Sequence, residues 1–249
     1  MIVRLLSAAL AAGFFAAVVA TGLQLALTSP LIIAAERYET GAHAAVPSRA
    51  IVHANLVIPV HDHGHAQAPA DAKPEWQPAP GLPRMAFTGL ATLVGAVGYA
   101  LLLGAAMVAI GREPTPERGL AFAVAGFLAV ALAPALGLPP ELPGSEAAPL
   151  AARQAWWAMT ALSTAMGLYL ILIRRVPITI LGGLVLIVAP HVAGAPEAAE
   201  TASALPAGLA AQFAARSLAV SFVFWAAIGL GFGWTWRRFG AATGETARA

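Results

Sequence analysis

The strongest constraint on this chain is a set of long stretches that contain no charged residue at all. Six can be traced, roughly Leu5–Thr28, Ala86–Ile110, Leu120–Leu138, Trp156–Ile173, Val176–Pro190 and Ser217–Trp236. At 1.5 Å of rise per residue, about 20 helical residues cross the roughly 30 Å hydrocarbon layer of a bilayer. Four stretches meet that length comfortably, the fourth in order is slightly short, and the fifth is clearly short. Only Arg174 and Arg175 separate those last two, so they form either a thin helical hairpin or a pair that includes a re-entrant segment. Water-soluble cores do not need such runs. Apolar residues make up 59% of the chain and charged residues 10%, against about 25% charged in an average soluble domain. The expected fold is an all-α integral membrane protein, a bundle of about six transmembrane helices with a long outer loop after the first.

The first stretch could be mistaken for a secretory leader, because Arg4 supplies a basic start and Ala34–Ala35 resemble a cleavage point. The apolar run is much longer than the roughly 7–15 residues of a leader core, so we read it as an uncleaved anchor. Charge then orients the bundle. One side would hold Arg4, Arg112, Arg118, Arg174, Arg175, Arg237, Arg238 and Arg248 against three acidic residues, Glu113, Glu117 and Glu245. The opposite side would hold Arg37, Arg49, Lys73, Arg84, Arg153 and Arg216 against nine. Short cytoplasmic segments favour Lys and Arg, so both termini are expected in the cytoplasm. Trp156, Trp157, Trp234 and Trp236 fall at span ends, where interfacial anchors sit, while Trp225 falls inside the last span and reads as packing. Met159 and Met166, seven apart, share a face and read as core. Gly95, Gly98, Gly104, Gly182 and Gly183 offer close helix approach.

The loop from Pro30 to Pro83 falls outside. Its Pro- and Ala-rich part, Pro69 to Pro83, looks like a linker, and the apolar Ile51–Val60 would form a strand or pack on the bundle. No second soluble domain is visible, so residues 1–249 read as one membrane domain.

Several function classes drop out. Cysteine is absent, which removes disulfides, thiolate metal sites and cysteine catalysis. A net charge of +2 without a basic patch argues against nucleic acid. Phosphate-binding, dinucleotide-binding, zinc-protease and serine-hydrolase motifs are all missing, so no enzyme is expected.

All six histidines belong to the outer side. The dense group is H-D-H-G-H, with His61, Asp62, His63 and His65. Alternating imidazoles around a carboxylate can wrap one divalent transition-metal ion such as nickel, cobalt, copper or zinc. A polar loop that binds metal incidentally is the plainer alternative; the scarcity of histidine elsewhere favours the metal. His191 follows Pro190 in A-P-H-V-A-G-A-P. Glu36 and Glu39, in A-A-E-R-Y-E, share a face if the first helix continues, although Arg37 could simply pair with one of them. Glu141 lies in G-L-P-P-E-L-P-G, where three prolines could fix the carboxylate in place or merely build a turn. Glu36, Glu39, Glu141 and His191 would converge with the histidine loop at the outer mouth of the bundle. No ionisable residue lies at mid-membrane, which gives a carboxylate proton relay no support.

Taken together, T-S-P-L-I-I-A-A-E-R-Y-E (Thr28 to Glu39), A-L-A-P-A-L-G-L-P-P-E-L-P-G, R-Q-A-W-W, A-P-H-V-A-G-A-P and L-A-A-Q-F-A-A-R-S-L resemble the CbtA-type family of cobalt transporter subunits, over essentially the whole length. The resemblance implies a multi-pass protein of a bacterial inner (plasma) membrane. It implies cobalt uptake linked to cobalamin synthesis, with cobalt(II) or another divalent transition metal as the transported or bound ion and no firm cofactor. As partners it implies the lipid bilayer and a small one-span second subunit of the transporter. Its matched positions are Glu36, Glu39, Glu141, Arg153, Gln154, Trp156, Trp157, Pro190 and His191. The competing reading is a non-transporting metal-binding or scaffolding subunit of a membrane complex. As a test of topology, reporter fusions after Gly240 and within residues 66–72 are expected on opposite sides of the membrane. Reporters on the same side would mean that the fifth stretch does not cross.

Overall fold

A computed structural model describes residues 1–44, 78–79, 81–198 and 205–246, without the side chains of residues 39–44 and 241–246. Among the described residues there are helices and no strand. Five helices are long and apolar enough to cross a membrane: α1 (Ile2–Tyr38), α2 (Leu82–Ala109), α3 (Pro116–Ala135), α4 (Leu150–Arg174) and α6 (Ala207–Gly240). Between the last two lies a shorter apolar helix, α5 (Pro177–Ala193), of 17 residues. Its length is about 25 Å, a little less than the hydrocarbon layer. At 37 residues, α1 is about 55 Å long and must project beyond the layer, carrying Glu36 with it.

Proline shapes two of these helices in the same way, and a third wide turn ends α4. Wide π-helical turns occur at Gln24–Thr28, Leu128–Leu132 and Leu170–Arg174. Pro30 and Pro134 each follow such a turn at its second residue beyond, and Pro177 follows the third turn three residues on. A helical proline lacks its N–H and collides with the carbonyl four residues earlier, and widening the preceding turn relieves that collision. At the third turn the chain also reverses. Arg175 adopts a left-handed conformation (φ 57°), Val176 is extended, and Pro177 opens α5. The Thr179 hydroxyl donates to the Leu170 carbonyl at 3.2 Å, bracing the reversal. So α4 and α5 form a helical hairpin.

The helices pack side by side in the order α2, α1, α6, α3, α4, α5, with neighbours antiparallel. The face of α1 is built from small residues: Ala8, Ala9, Ala12, Gly13, Ala16, Ala17 and Ala20 are all buried. Such a stripe brings backbones close enough for dispersion contact, the main attraction left between helices in lipid. Ile228 and Phe232 of α6 and Met107 of α2 fill the centre with no exposure. At the end that carries the N-terminus, Arg4 donates to the Trp236 carbonyl through Nε and Nη2 (2.9 and 2.6 Å). Its guanidinium also lies 4.3 Å from the centre of the Trp236 ring. The two ends of the chain are thereby tied together.

The glycines that matter are not mainly those expected. Gly104 meets Phe232, and Gly183 faces Gly167 across the hairpin, where a Cβ on either would come within about 2.7 Å of the other's carbonyl oxygen. Gly95, Gly98 and Gly182, by contrast, face open space. The tightest crossing is Gly119 of α3 against Gly229 of α6, where either Cβ would overlap the opposing carbonyl. Met159 and Met166 are 45% and 52% exposed, so they face outward and not into the core. Trp156 and Trp236 are buried, because the face they occupy turns toward the bundle, whereas Trp157 and Trp234 remain exposed. Trp225 packs inside, as its position within the span implied, against Tyr99 at 4.9 Å.

These contacts separate two kinds of glycine. Gly229→Ala is expected to destabilise the protein by roughly 1–3 kcal/mol, because the neighbour is backbone and cannot yield cheaply. Gly98→Ala is expected to be neutral or stabilising by up to about 1 kcal/mol, since alanine favours helix and meets nothing. Thermal unfolding in one detergent would measure both.

Candidate functional site

The antiparallel packing divides the molecule into an end bearing Arg4, Arg112, Arg174 and Arg237, and a far end bearing Glu36, Glu141 and His191. The expected site residues that are described therefore share one end. Each is held by a different neighbour.

Glu36 lies on the projecting part of α1. Arg84, in the first turn of α2, donates to both of its carboxylate oxygens, at 3.3 Å through Nη1 and at closer range through Nη2. Fork-to-fork geometry of this kind fixes both side chains. The partner is thus a residue 48 positions away in sequence. The backbone of Glu39 continues the same helix, and its side chain lies outside the described residues.

Glu141 occupies the proline-rich connection between α3 and α4. Arg153, in the first turn of α4, reaches it at 3.3 Å. With the two side chains 33% and 30% exposed, this pair is partly open to solvent, and its attraction is correspondingly weak. Leu142, the next residue, is buried against Leu31 and Ala35 of α1, so the connection reaches back over the first helix. The prolines thus lie in a non-helical connection, and the contact shown for the carboxylate is with Arg153.

His191 sits in the last turn of α5, just after the buried Pro190. Its ring meets Trp156 edge to face, with centres 5.9 Å apart. Trp156 also packs on Gly137, where any Cβ would collide with the indole. Below Trp156 on the same face of α4, Thr160 and Thr164 are buried at four-residue spacing. Neither hydroxyl, nor the Trp156 indole nitrogen, has a hydrogen-bond partner among the described residues.

Among the described residues, no three His, Asp or Glu side chains stand close enough together to hold a metal ion. Glu36, Glu141 and His191 share an end without forming a single cluster there. The H-D-H-G-H sequence, with His61, Asp62, His63 and His65, and the Ile51–Val60 stretch lie outside the described residues.

Local sequence reasoning did not single out Thr92 and Arg216, which meet α1 at its π-helical turn. There the Thr92 hydroxyl donates to Gln24 Oε1 at 3.0 Å, and Arg216 Nη1 donates to the Leu27 carbonyl inside the π-helical turn at 3.2 Å. The usable signal was Pro30 in the middle of an apolar run, since proline-widened turns recur at functional places in helices.

No curated protein and no solved structure matches the chain at a significant level. One family profile does, that of the probable cobalt transporter subunit (CbtA), and it matches residues 2–237. The match covers nearly the entire chain, including five of the six helices in full, most of α6, and each of Glu36, Glu141 and His191. With five helices able to cross a membrane, the chain belongs to the CbtA family of probable cobalt transporter subunits, as a multi-pass membrane component.

Proposed function

We propose that this chain is the membrane-spanning path for cobalt(II) uptake across a bacterial inner membrane, in a system that serves cobalamin synthesis. A small one-span companion protein would complete the transporter. The carrying observation is the family match over residues 2–237, joined to the grouping of Glu36, Glu141 and His191 at one end of the bundle. In this reading the far end faces outward and both termini are cytoplasmic. His61, Asp62, His63 and His65 capture the ion when it is scarce. Glu141 and His191 receive it, with Glu36 or Glu39 adding a further oxygen.

Chemistry supports an exchange at these carboxylates. Glu141 and Glu36 are held by Arg153 and Arg84, so an arriving divalent ion replaces a single positive charge with a double one. Oxygen and imidazole ligands suit cobalt(II), and a loosely held ion with water in its open positions can leave again. The bundle itself favours one rival reading, an accessory component that binds metal without moving it. Among the described residues, the buried core cluster consists of alanine and larger apolar side chains and holds no ionisable residue.

Cobalt uptake into proteoliposomes, with and without the one-span companion, decides between the two. Glu141→Gln is expected to lower uptake about ten-fold or more even at abundant metal, the cost of losing a charge-assisted contact. His191→Ala should act alike, and the double variant should be less than additive. Replacing His61, His63 and His65 with Ala should matter only when metal is scarce. Full uptake by a well-expressed Glu141→Gln protein would leave G-L-P-P-E-L-P-G as a structural turn. Absent uptake from a chain that still binds cobalt would establish the accessory role.

A further inference from the structure

The helices do not all share one core. The large buried cluster joins α1, α2, α3 and α6, and none of its residues comes from α4 or α5. Those two pack on each other, and their helix contacts with the rest of the bundle run chiefly through α3. The hairpin is thus a two-helix unit set against the side of a four-helix one. The connection between α3 and α4 belongs to the larger unit, because Leu142 is buried against Leu31 and Ala35 of α1. The Glu141–Arg153 pair therefore crosses the boundary, with its carboxylate on the larger unit and its guanidinium on the hairpin.

Below that pair, the face of α4 carries polar groups that the closed packing leaves unmet. Trp156, Thr160 and Thr164 follow one another at four-residue spacing, and each is more than nine-tenths buried. Among the described residues, neither the indole nitrogen nor either hydroxyl has a hydrogen-bond partner. Other threonines in the spans behave differently. Thr28, Thr88, Thr92 and Thr235 each donate to the carbonyl four residues earlier, at 2.8–3.0 Å. Thr160 and Thr164 make no such bond. An unmet hydroxyl or indole N–H counts against the arrangement that buries it. The helices that cover α4 are α3 and α5. While they stay closed, neither lipid nor a partner chain can reach these atoms.

We propose that α4 and α5 swing away from α3 as one unit, that the Glu141–Arg153 pair latches this seam at the far end, and that the opened seam admits water to Trp156, Thr160 and Thr164. The hairpin is braced to move whole by the Gly167–Gly183 crossing and by the bond from the Thr179 hydroxyl to the Leu170 carbonyl. The latch is partly solvated and so weak enough to open. Thr164 lies about 21 Å along α4 from Leu150, so water in the open seam reaches deep into the hydrocarbon layer. Opening also changes the site at the far end. Glu141 stays with the larger unit while His191 travels on α5, and the distance between them changes. What releases the latch rests on the transport reading: a divalent ion taken up at Glu141 draws the carboxylate from Arg153.

The chain contains no cysteine, so one introduced thiol reports on its own surroundings. With the full chain in lipid nanodiscs, Thr160→Cys is expected to react with a small charged methanethiosulfonate, whereas Ala100→Cys in the four-helix core should not. Adding Arg153→Gln should speed the reaction at position 160 roughly two- to five-fold, the scale of a partly solvated ion pair. Arg153→Lys should restore most of the parent rate. Thr164→Val should slow the reaction and raise the thermal midpoint, because valine keeps the shape and needs no hydrogen-bond partner. No reaction at position 160 even with Arg153→Gln, equal reaction at position 100, or a lowered midpoint with Thr164→Val would overturn the proposal. Cobalt(II) chloride should speed the reaction in the parent background and not with Glu141→Gln. A seam that answers to Arg153 but not to cobalt removes the ion as the trigger and counts against the transport reading alone.

Discussion

Hydrocarbon offers a polypeptide backbone nothing to bond with, so every N–H and C=O inside the layer must find its partner within the protein. That constraint fixes the helices, and it makes proline the most disruptive residue the apolar runs can contain. This chain keeps Pro30 and Pro134 inside helices by widening the turn before each. At Pro30 the widened turn is then used. Arg216 donates to the Leu27 carbonyl within it, and Thr28 donates to the Gln24 carbonyl. The same turn supplies Gln24 and Thr28 to the lining of a cavity between α1, α2 and α6. A local backbone defect beside one proline thus positions polar groups in a largely apolar run.

Close packing in the rest of the bundle follows from the same solvent. Lipid tails are as apolar as leucine, so helices gain no hydrophobic energy by burying large side chains against each other and depend on close packing instead. Hence the alanine face of α1, and hence the paired glycines Gly119–Gly229 and Gly167–Gly183. These crossings seal the half of the bundle nearer Arg4, while the far half, where α1, α2 and α6 separate, stays open. Sealing and opening are two results of where small residues and proline fall along one helix.

The fold class was legible because hydrophobic length and missing charge are local properties, readable without knowing which residues meet. What was not legible depends on helix rotation. Gly98 and Gly104 sit six apart on α2 and look alike in sequence, yet only Gly104 faces a neighbour. Trp156 and Trp236 stand at span ends, as interfacial anchors do, but their helices turn them inward. Arg37, next door to Glu36, is the natural partner by sequence, whereas the fork of Arg84 arrives from another helix. Glu141 and Arg153 both belong to the matched positions, though nothing in the spacing said they would pair. Pairings across a bundle need the third dimension, and a single sequence supplies only the order along the chain.

The arginine partners bear directly on how a cation could be handled at the far end. An unpaired carboxylate there would hold a divalent ion tightly, and tight binding slows release as surely as it aids capture. With Arg84 on Glu36 and Arg153 on Glu141, an ion taken up as proposed would first have to displace a guanidinium, and the cost of breaking each pair would be subtracted from its affinity. The same guanidinium would return as the ion departs, leaving the carboxylate with a counter-charge beside a low-dielectric core. Internal competition of this kind sets a moderate affinity without changing the ligands. Such competition would suit the places where the two pairs stand, since Arg84 and Arg153 each lie in the first turn of a helix. Flexible, partly solvated ends let a long side chain swing aside at little cost, whereas the alanine-packed centre has no room for it to move.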